Sequence, residues 1–319
     1  MAEAILAIDI GGTKLAAGVV TPLGEIVSSA QSPTPNREHA DTVYAALQET
    51  IQRALLSAGG GWSVASIGVG VGGPMRVREG LVSPLNIPGW RDFPIVARLR
   101  ADHGLPVALD NDAKAFALGE YLYGADRDHS DLMGVVVSTG VGGGIVSHGR
   151  LLHGRTFNAG HVGHMVAEPD GPGCICGGRG CVEAIASGPS IARLIRSQLR
   201  QGRESILANS APESLTARQV AEAARAGDEL AREGFDRAGR ALGVGFAGAA
   251  ALLDIDLIVL GGGVSNAGDL LMQPLRAALA EHARLDYIRD QVEVVPTTNP
   301  QHAGLIGAAA LAAQEQYHP

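Results

Sequence analysis

A chain of 319 residues is long for one hydrophobic core and comfortable for two lobes, and its 46% hydrophobic and 18% charged residues with a formal charge of −8 describe an acidic globular chain. That charge leaves no electrostatic footprint for nucleic acid or an anionic membrane surface, and no apolar run approaches the ~18 residues of a membrane span. The three cysteines all fall within Cys174–Cys181, which excludes a disulfide framework and points to a reducing compartment, the cytoplasm.

The opening run Ala4–Ile8 is too short for the apolar region of a signal peptide and has no basic segment before it. Ile5–Ile8 and Leu15–Val20 are β-rich runs joined by Asp9-Ile10-Gly11-Gly12-Thr13-Lys14, and Thr21–Gly24 turns the chain into a third run, Glu25–Ser29. This predicts an antiparallel meander. Helical periodicity over Glu38–Leu56 stops at Gly59-Gly60-Gly61, and Val64–Val71 reads as a strand broken by Gly72-Gly73-Pro74. Pro84–Trp90, which contains Asn86, reads as a rigid loop. Phe93–Asp102 is a predicted helix, Pro106–Leu109 a buried strand ending in Asp110-Asn111-Asp112, and Ala113–Tyr123 a helix behind that polar tip.

The second half repeats the opening. Leu132–Val137 is a strand, Ser138-Thr139-Gly140-Val141-Gly142-Gly143-Gly144 a glycine turn, and Ile145–Ser147 its partner strand. Helices are predicted over Pro189–Gln201, Thr216–Ala226 and Asp228–Leu253, with a polar connection at Gln201–Leu215. Leu257–Leu260 then runs as a buried strand into Gly261-Gly262-Gly263-Val264-Ser265, and Gly304–Gln314 is an alanine-rich final helix. The two similar β starts predict a duplicated α/β lobe with mixed sheets and a cleft between the copies.

Cys174, Cys176 and Cys181 stand ten or more residues after His164, and three thiolates with one imidazole complete a tetrahedral zinc shell. A closed shell leaves no position for substrate, so the predicted zinc is structural and holds the loop that carries His164, Arg179 and Glu183. The bland alternative is a cluster of reduced thiols. The two glycine turns offer converging backbone N–H groups to phosphate, Asp9 adds a carboxylate for Mg²⁺, and Thr13, Lys14 and Thr139 add donors. Either turn alone reads equally well as a tight hairpin. No Gly-x₄-Gly-Lys-Ser/Thr occurs, so this is not a P-loop. Gly68-Val69-Gly70-Val71-Gly72-Gly73 satisfies a dinucleotide-binding spacing, but Pro74–Gly80 has no amphipathic run to form the required helix, and that reading is rejected. Asn111-Asp112 is placed either to cap a helix or, beside a nucleotide, to orient a sugar and accept a hydroxyl proton.

Across nearly its whole length the chain resembles the sugar kinases of the ROK (repressor, open reading frame, kinase) family within the actin-like ATPase superfamily. The resemblance is carried by Asp9–Lys14, Pro84–Trp90, Asn111-Asp112, Ser138–Gly144, Ala159–Met165, Cys174–Glu183, Gly261–Ser265 and Ala303–Gly307. It implies a two-lobed actin-like (ribonuclease H-like) α/β fold divided as 1–112, 113–302 and a C-terminal helix, 303–319, packing back on the first lobe. It implies ATP-dependent phosphorylation of a hexose 6-hydroxyl with Asp112 as catalytic base. ATP and Mg²⁺ are then held by Asp9, Gly11, Gly12, Thr13, Lys14, Thr139 and Gly140, with Gly261, Gly262 and Gly263 against adenosine. Sugar contacts fall to Gly73, Asn86, Asn111, Asp112, His164 and Glu183, zinc to His164, Cys174, Cys176 and Cys181, and the assembly is a homodimer.

One position departs from the family pattern. Where most of these kinases carry Glu in Glu-x-Gly-His, this chain reads His161-Val162-Gly163-His164. A neutral imidazole has a donor that a carboxylate lacks, so His161 is suited to an acetamido carbonyl, and the segment is similar to bacterial N-acetylmannosamine kinases. Glucose is the alternative substrate, supported by Asn86–Trp90. Members of the family that repress transcription carry a helix-turn-helix ahead of the first hairpin; here that hairpin starts at residue 9, and the charge of −8 argues against DNA. A filament-forming actin relative would have no use for the cysteine loop, and a silent sugar sensor no use for Asp112.

Overall fold

The computed structural model describes residues 1–124, 129–209 and 214–314. It forms two compact units: Met1–Ser130 with Gly144–Ala159 and Thr298–Pro319, and Asp131–Gly143 with Gly160–Thr297.

In the first unit β1 (Ala2–Ile10), β2 (Lys14–Val20) and β3 (Ile26–Pro33) form the expected antiparallel meander. After α1 (Ala40–Ala58), β4 (Trp62–Val71) adds parallel to β1, and β7 (Val107–Asn111) adds parallel to β4, giving the order β3-β2-β1-β4-β7. Ala4–Ile8 is buried at every position, the mark of a central strand covered on both faces. Val43, Leu47, Ile51 and Ala54 recur at helical spacing and put the apolar stripe of α1 into the core with Leu6, Ile8 and Ile10. Trp90 stacks on Phe93 with centroids 4.3 Å apart and donates from Nε1 to the Ala40 carbonyl at 3.1 Å, which anchors the loop at 84–90. Two short strands, β5 (Met75–Arg76) and β6 (Leu81–Val82), and α2 (Ile95–His103) lie between β4 and β7.

On the other face of this sheet pack α3 (Asp112–Tyr123) and the last helix, α9 (Ala303–Ala313). A Cβ on Gly68 would overlap the carbonyl of Ala308, so the glycine that begins the misleading dinucleotide spacing serves close helix–sheet approach. Because α3 packs on α9 and β4, it belongs with the first unit, whereas the sequence division placed it after the boundary at 112. Residues 144–159 also join the first unit.

The second sheet has the order β10-β9-β8-β11-β12, from β8 (Leu132–Val137), β9 (Val141–Ser147), β10 (Arg150–Leu151), β11 (Leu257–Gly261) and β12 (Glu293–Pro296). β8, β11 and β12 are parallel. Around them lie α4 (Val182–Ala186), α5 (Gly188–Arg200), α6 (Ala217–Arg225), α7 (Glu229–Leu253) and α8 (Asp269–His282). Sequence reading passed over α4, α8 and β12. Pro274 inside α8 hides a periodicity that Leu271, Met272, Leu275 and Leu279 show once buried, and β12 is only four residues long. The connection expected over Gln201–Leu215 and the end of the 303–319 segment lie partly outside the described residues. No described helix is long and apolar enough to cross a membrane.

Candidate active site

In the first unit the β1–β2 turn, the loop at 84–90 and the start of α3 carry the predicted residues. Asp9 stands at the end of β1 between Ala16 and Gly70 on the neighbouring strands. Burial, then the negative charge of Asp112, push the Asp9 carboxyl up to about 6 against the opposing pull of Lys14. A cation here would relieve both causes, so the donor set fits Mg²⁺. The turn itself is held open by side chains: Thr34 Oγ1 donates to the Gly11 carbonyl at 2.7 Å and Asn36 Nδ2 to the Gly12 carbonyl at 2.6 Å. A Cβ on Gly12 would overlap that of Asn86, and the Leu85 amide donates to the Gly73 carbonyl at 3.3 Å, so Gly12, Gly73 and Asn86 are brought together.

Asn111 is the N-cap of α3. Its Oδ1 accepts from the Ala113 amide at 3.0 Å, and Asp112 Oδ1 accepts from the same amide at 2.9 Å. The capping reading of this pair is therefore correct for Asn111. Solvent reaches the Asp112 side chain, yet burial by the surrounding protein raises its carboxyl above the usual range, with the Ala113 amide and the Asn111 side chain opposing the shift. A raised carboxylate is a stronger base near neutral pH.

In the second unit the glycine turn after β8 meets the start of α4. Glu183 Oε2 accepts from the Val141 amide at 2.9 Å, and a Cβ on Gly140 would stand against that same oxygen. The turn after β11 lies alongside: the Val264 amide donates to the Val137 carbonyl at 3.0 Å, and Ser265 Oγ to the Gly262 carbonyl at 2.6 Å. Thr139 and Gly261–Gly263 thus sit on adjacent strand ends. His161 caps and His164 ends a one-turn 3-10 helix, Val162–His164, with their ring centroids 5.9 Å apart.

His164, Cys174, Cys176 and Cys181 converge so that one ligand atom of each lies within 4.8 Å of the others. The Cys174 Sγ to His164 Nδ1 and Cys176 Sγ to Cys181 Sγ distances are both 3.7 Å. Zinc–sulfur bonds of about 2.3 Å in a tetrahedron place sulfurs about 3.8 Å apart, so the donor set fits zinc. Burial and the neighbouring thiols push Cys181, 3% exposed, up to about 12, whereas the Gly178 amide and Cys174 pull Cys176 down. Three thiols at this spacing resist joint ionisation unless a cation compensates them. The loop is closed by the Cys174 amide on the Gly178 carbonyl at 2.8 Å and tied to the 3-10 helix by the Val182 amide on the Met165 carbonyl at 2.9 Å.

A model described as the ROK family matches residues 5–315. The chain belongs to the ROK family. This ROK chain is 35% identical over 311 residues to a glucokinase of Thermotoga maritima, covering 96% of each. It is 36% identical over 315 residues to an N-acetylmannosamine kinase of Shigella flexneri, covering 98% of this chain and 99% of the relative. In structure it resembles a ROK family glucokinase from Streptomyces griseus in complex with glucose and AMPPNP, with a TM-score of 0.82 at 33% identity, over 97% of this chain and 99% of that one. The α/β fold with mixed sheets is the actin-like ATPase fold.

Two features of this ROK chain escaped sequence reading. One is the Glu183 carboxylate on the Val141 amide, joining positions 42 residues apart. The other is a buried cluster of Asp110, Lys114 and His153 beside the N-cap of α3. Asp110 and Lys114 at i and i+4 gave a visible signal; His153 gave none.

Proposed function

We propose that this ROK-family sugar kinase transfers the γ-phosphoryl group of ATP to the 6-hydroxyl of N-acetylmannosamine. Asp112 accepts the hydroxyl proton as the oxygen forms its bond to the γ-phosphorus, the bond from that phosphorus to the β–γ bridging oxygen breaks, and ADP leaves. In the first unit Asn111, Gly73 and Asn86 are the proposed sugar-binding residues; in the second unit those roles fall to His161, His164 and Glu183. For the nucleotide, the first unit offers Gly11–Lys14 to phosphate; the second unit offers Thr139 and Gly140 to phosphate and Gly261–Gly263 to adenosine. Asp9 would hold Mg²⁺, which would supply neutralisation of the phosphate charge. His164, Cys174, Cys176 and Cys181 would hold a structural zinc, and with Nδ1 facing Cys174, His164 Nε2 would be available to donate to a sugar hydroxyl.

The observation that carries the choice of sugar is His161, whose ring is solvent-exposed and lies beside that of His164. An N–H there completes a hydrogen bond to an acetamido oxygen, whereas a carboxylate at that place repels it and favours free hydroxyls. Glucose is the second reading, supported by glucokinase relatives at similar identity. A coupled ADP-release panel tests both. N-acetylmannosamine should give the highest kcat/KM among glucose, mannose, N-acetylglucosamine and itself, and His161→Glu should move the ratio toward glucose. A wild-type preference for glucose of tenfold or more, unaltered in His161→Glu, sinks the N-acetylmannosamine reading and leaves the glucokinase one.

A further inference from the structure

The strand end that delivers Asn111 and Asp112 is built on a buried charge pair that the stability of the unit does not explain. Asp110 is 0% exposed and Lys114 2%, and Lys114 Nζ donates to Asp110 Oδ2 at 2.7 Å. Taking two charges out of water is expensive, and a well-packed apolar pair of the same volume is commonly as stable or more so. What an apolar pair lacks is direction. Asp110 Oδ1 accepts from the Asn111 amide at 2.7 Å, while His153 Nδ1 lies 3.3 Å from Asp110 Oδ2 and 3.2 Å from Lys114 Nζ. Lys114 Nζ also donates to the Phe157 carbonyl at 3.3 Å, and the Phe157 ring stands 4.9 Å from that of His153, with Arg78 5.1 Å over it. A strand end, the first turn of α3 and the 153–157 segment thus meet at one carboxylate, all within the first unit.

On the far side, Asn111 and Asp112 both accept from the Ala113 amide, and the Asn111 side chain also hydrogen-bonds the Asp112 carboxyl. These contacts tie the two side chains to each other and to the first turn of α3, so the pair is aimed as a unit by the peptide that carries it, and the Asn111 amide of that peptide is held by Asp110. Burial pushes the Asp110 carboxyl up, but His153, Lys114 and the Asn111 amide together outweigh it and keep it below the usual range.

We propose that Lys114 and His153 are positioning residues for phosphoryl transfer: they clamp the Asp110 carboxylate, which through the Asn111 amide aims Asn111 and Asp112 at the sugar hydroxyl. This rests on the reading of Asp112 as the base. Misplacing a reacting group by about 1 Å costs up to about 10²-fold in rate.

The test compares Lys114→Met, Asp110→Asn/Lys114→Met, His153→Leu and Asp112→Asn in the full-length protein, by thermal unfolding and by kcat and the KM for ATP. Lys114→Met should lower kcat by about 10- to 100-fold with the KM for ATP within about twofold of wild type. The double variant removes the uncompensated carboxylate, so its melting temperature should recover while kcat stays low. His153→Leu, at a position whose side chain is 23% exposed, should keep its melting temperature and lose about three- to tenfold in kcat. If kcat recovers together with stability in the double variant, the cluster is only structural and the proposal is overturned. It is equally overturned if His153→Leu and Lys114→Met keep wild-type kcat while Asp112→Asn loses about 10²-fold. Should the Lys114 variants fail to fold, His153→Leu decides alone. Wild-type kcat in Asp112→Asn instead overturns the reading of the base, and the positioning inference with it.

Discussion

Replacing Asp9 by Asn in the nucleotide-free protein should make it more stable at pH 8 and leave it unchanged near pH 4. The carboxyl is raised from 3.8 to about 6, first by burial and then by Asp112. At about 1.4 kcal/mol per pKa unit, ionising it in the folded state costs about 3 kcal/mol relative to the unfolded chain. The side chain is half-buried, so solvent screens part of this, and about 1–2 kcal/mol is the expected gain. The sign follows from proton counts. Between 3.8 and about 6 the folded state binds more protons than the unfolded state, so the wild-type contribution falls as pH rises through that window and is flat above it. Asn carries no charge at any of these values. The gap between variant and wild type therefore opens from near zero at pH 4 to its full size by pH 7, and thermal unfolding of both proteins across that range at one ionic strength reads it. Millimolar Mg²⁺ should narrow the gap at pH 8 by stabilising wild type alone. A gap that is the same at pH 4.5 and pH 8, or an Asn variant less stable at pH 8, would refute the argument that Asp9 is an anion waiting for a cation.

Cys176→Ser should lower zinc content from near one equivalent and weaken sugar affinity while ATP affinity holds, since the loop positions His164; metal analysis with sugar titration checks this, and full activity in rigorously zinc-free protein refutes it. Gly68→Val should destabilise by about 3 kcal/mol or more, because its Cβ cannot form without displacing the Ala308 backbone of α9; chemical unfolding reads the loss, and a wild-type midpoint counts against the packing account. Trp90→Ala should cost about 3–5 kcal/mol and raise the sugar KM more than the ATP KM, because Trp90 anchors the loop that carries Asn86; equal changes in both KM values would contradict that assignment.

The fold was legible in the sequence wherever local chemistry repeats. Asp9–Lys14 and Ser138–Gly144 each mark a hairpin turn because glycine is needed where backbone N–H groups must converge, and Val43, Leu47 and Ile51 mark a helix face because apolar spacing follows the helical period. The convergence of His164 with the cysteine loop was legible too, since residue type and spacing are local properties. Where a helix carried a proline, as α8 does, or a strand was four residues long, as β12 is, the local signal was too weak and only burial revealed the element.

Tertiary structure decided what sequence distance concealed. It assigned α3 to the first unit through its packing on α9, and showed that Gly68 serves helix approach. It set Glu183 on the Val141 amide and brought His153 to Asp110, pairs separated by 42 and 43 residues. The sequence alone determined which groups are present: two carboxylates, two glycine turns, three thiols and the unusual His161. Which of them share a charge, a proton or a hydrogen bond depends on distances of a few ångströms, and those are set only when the sheets and helices close around them.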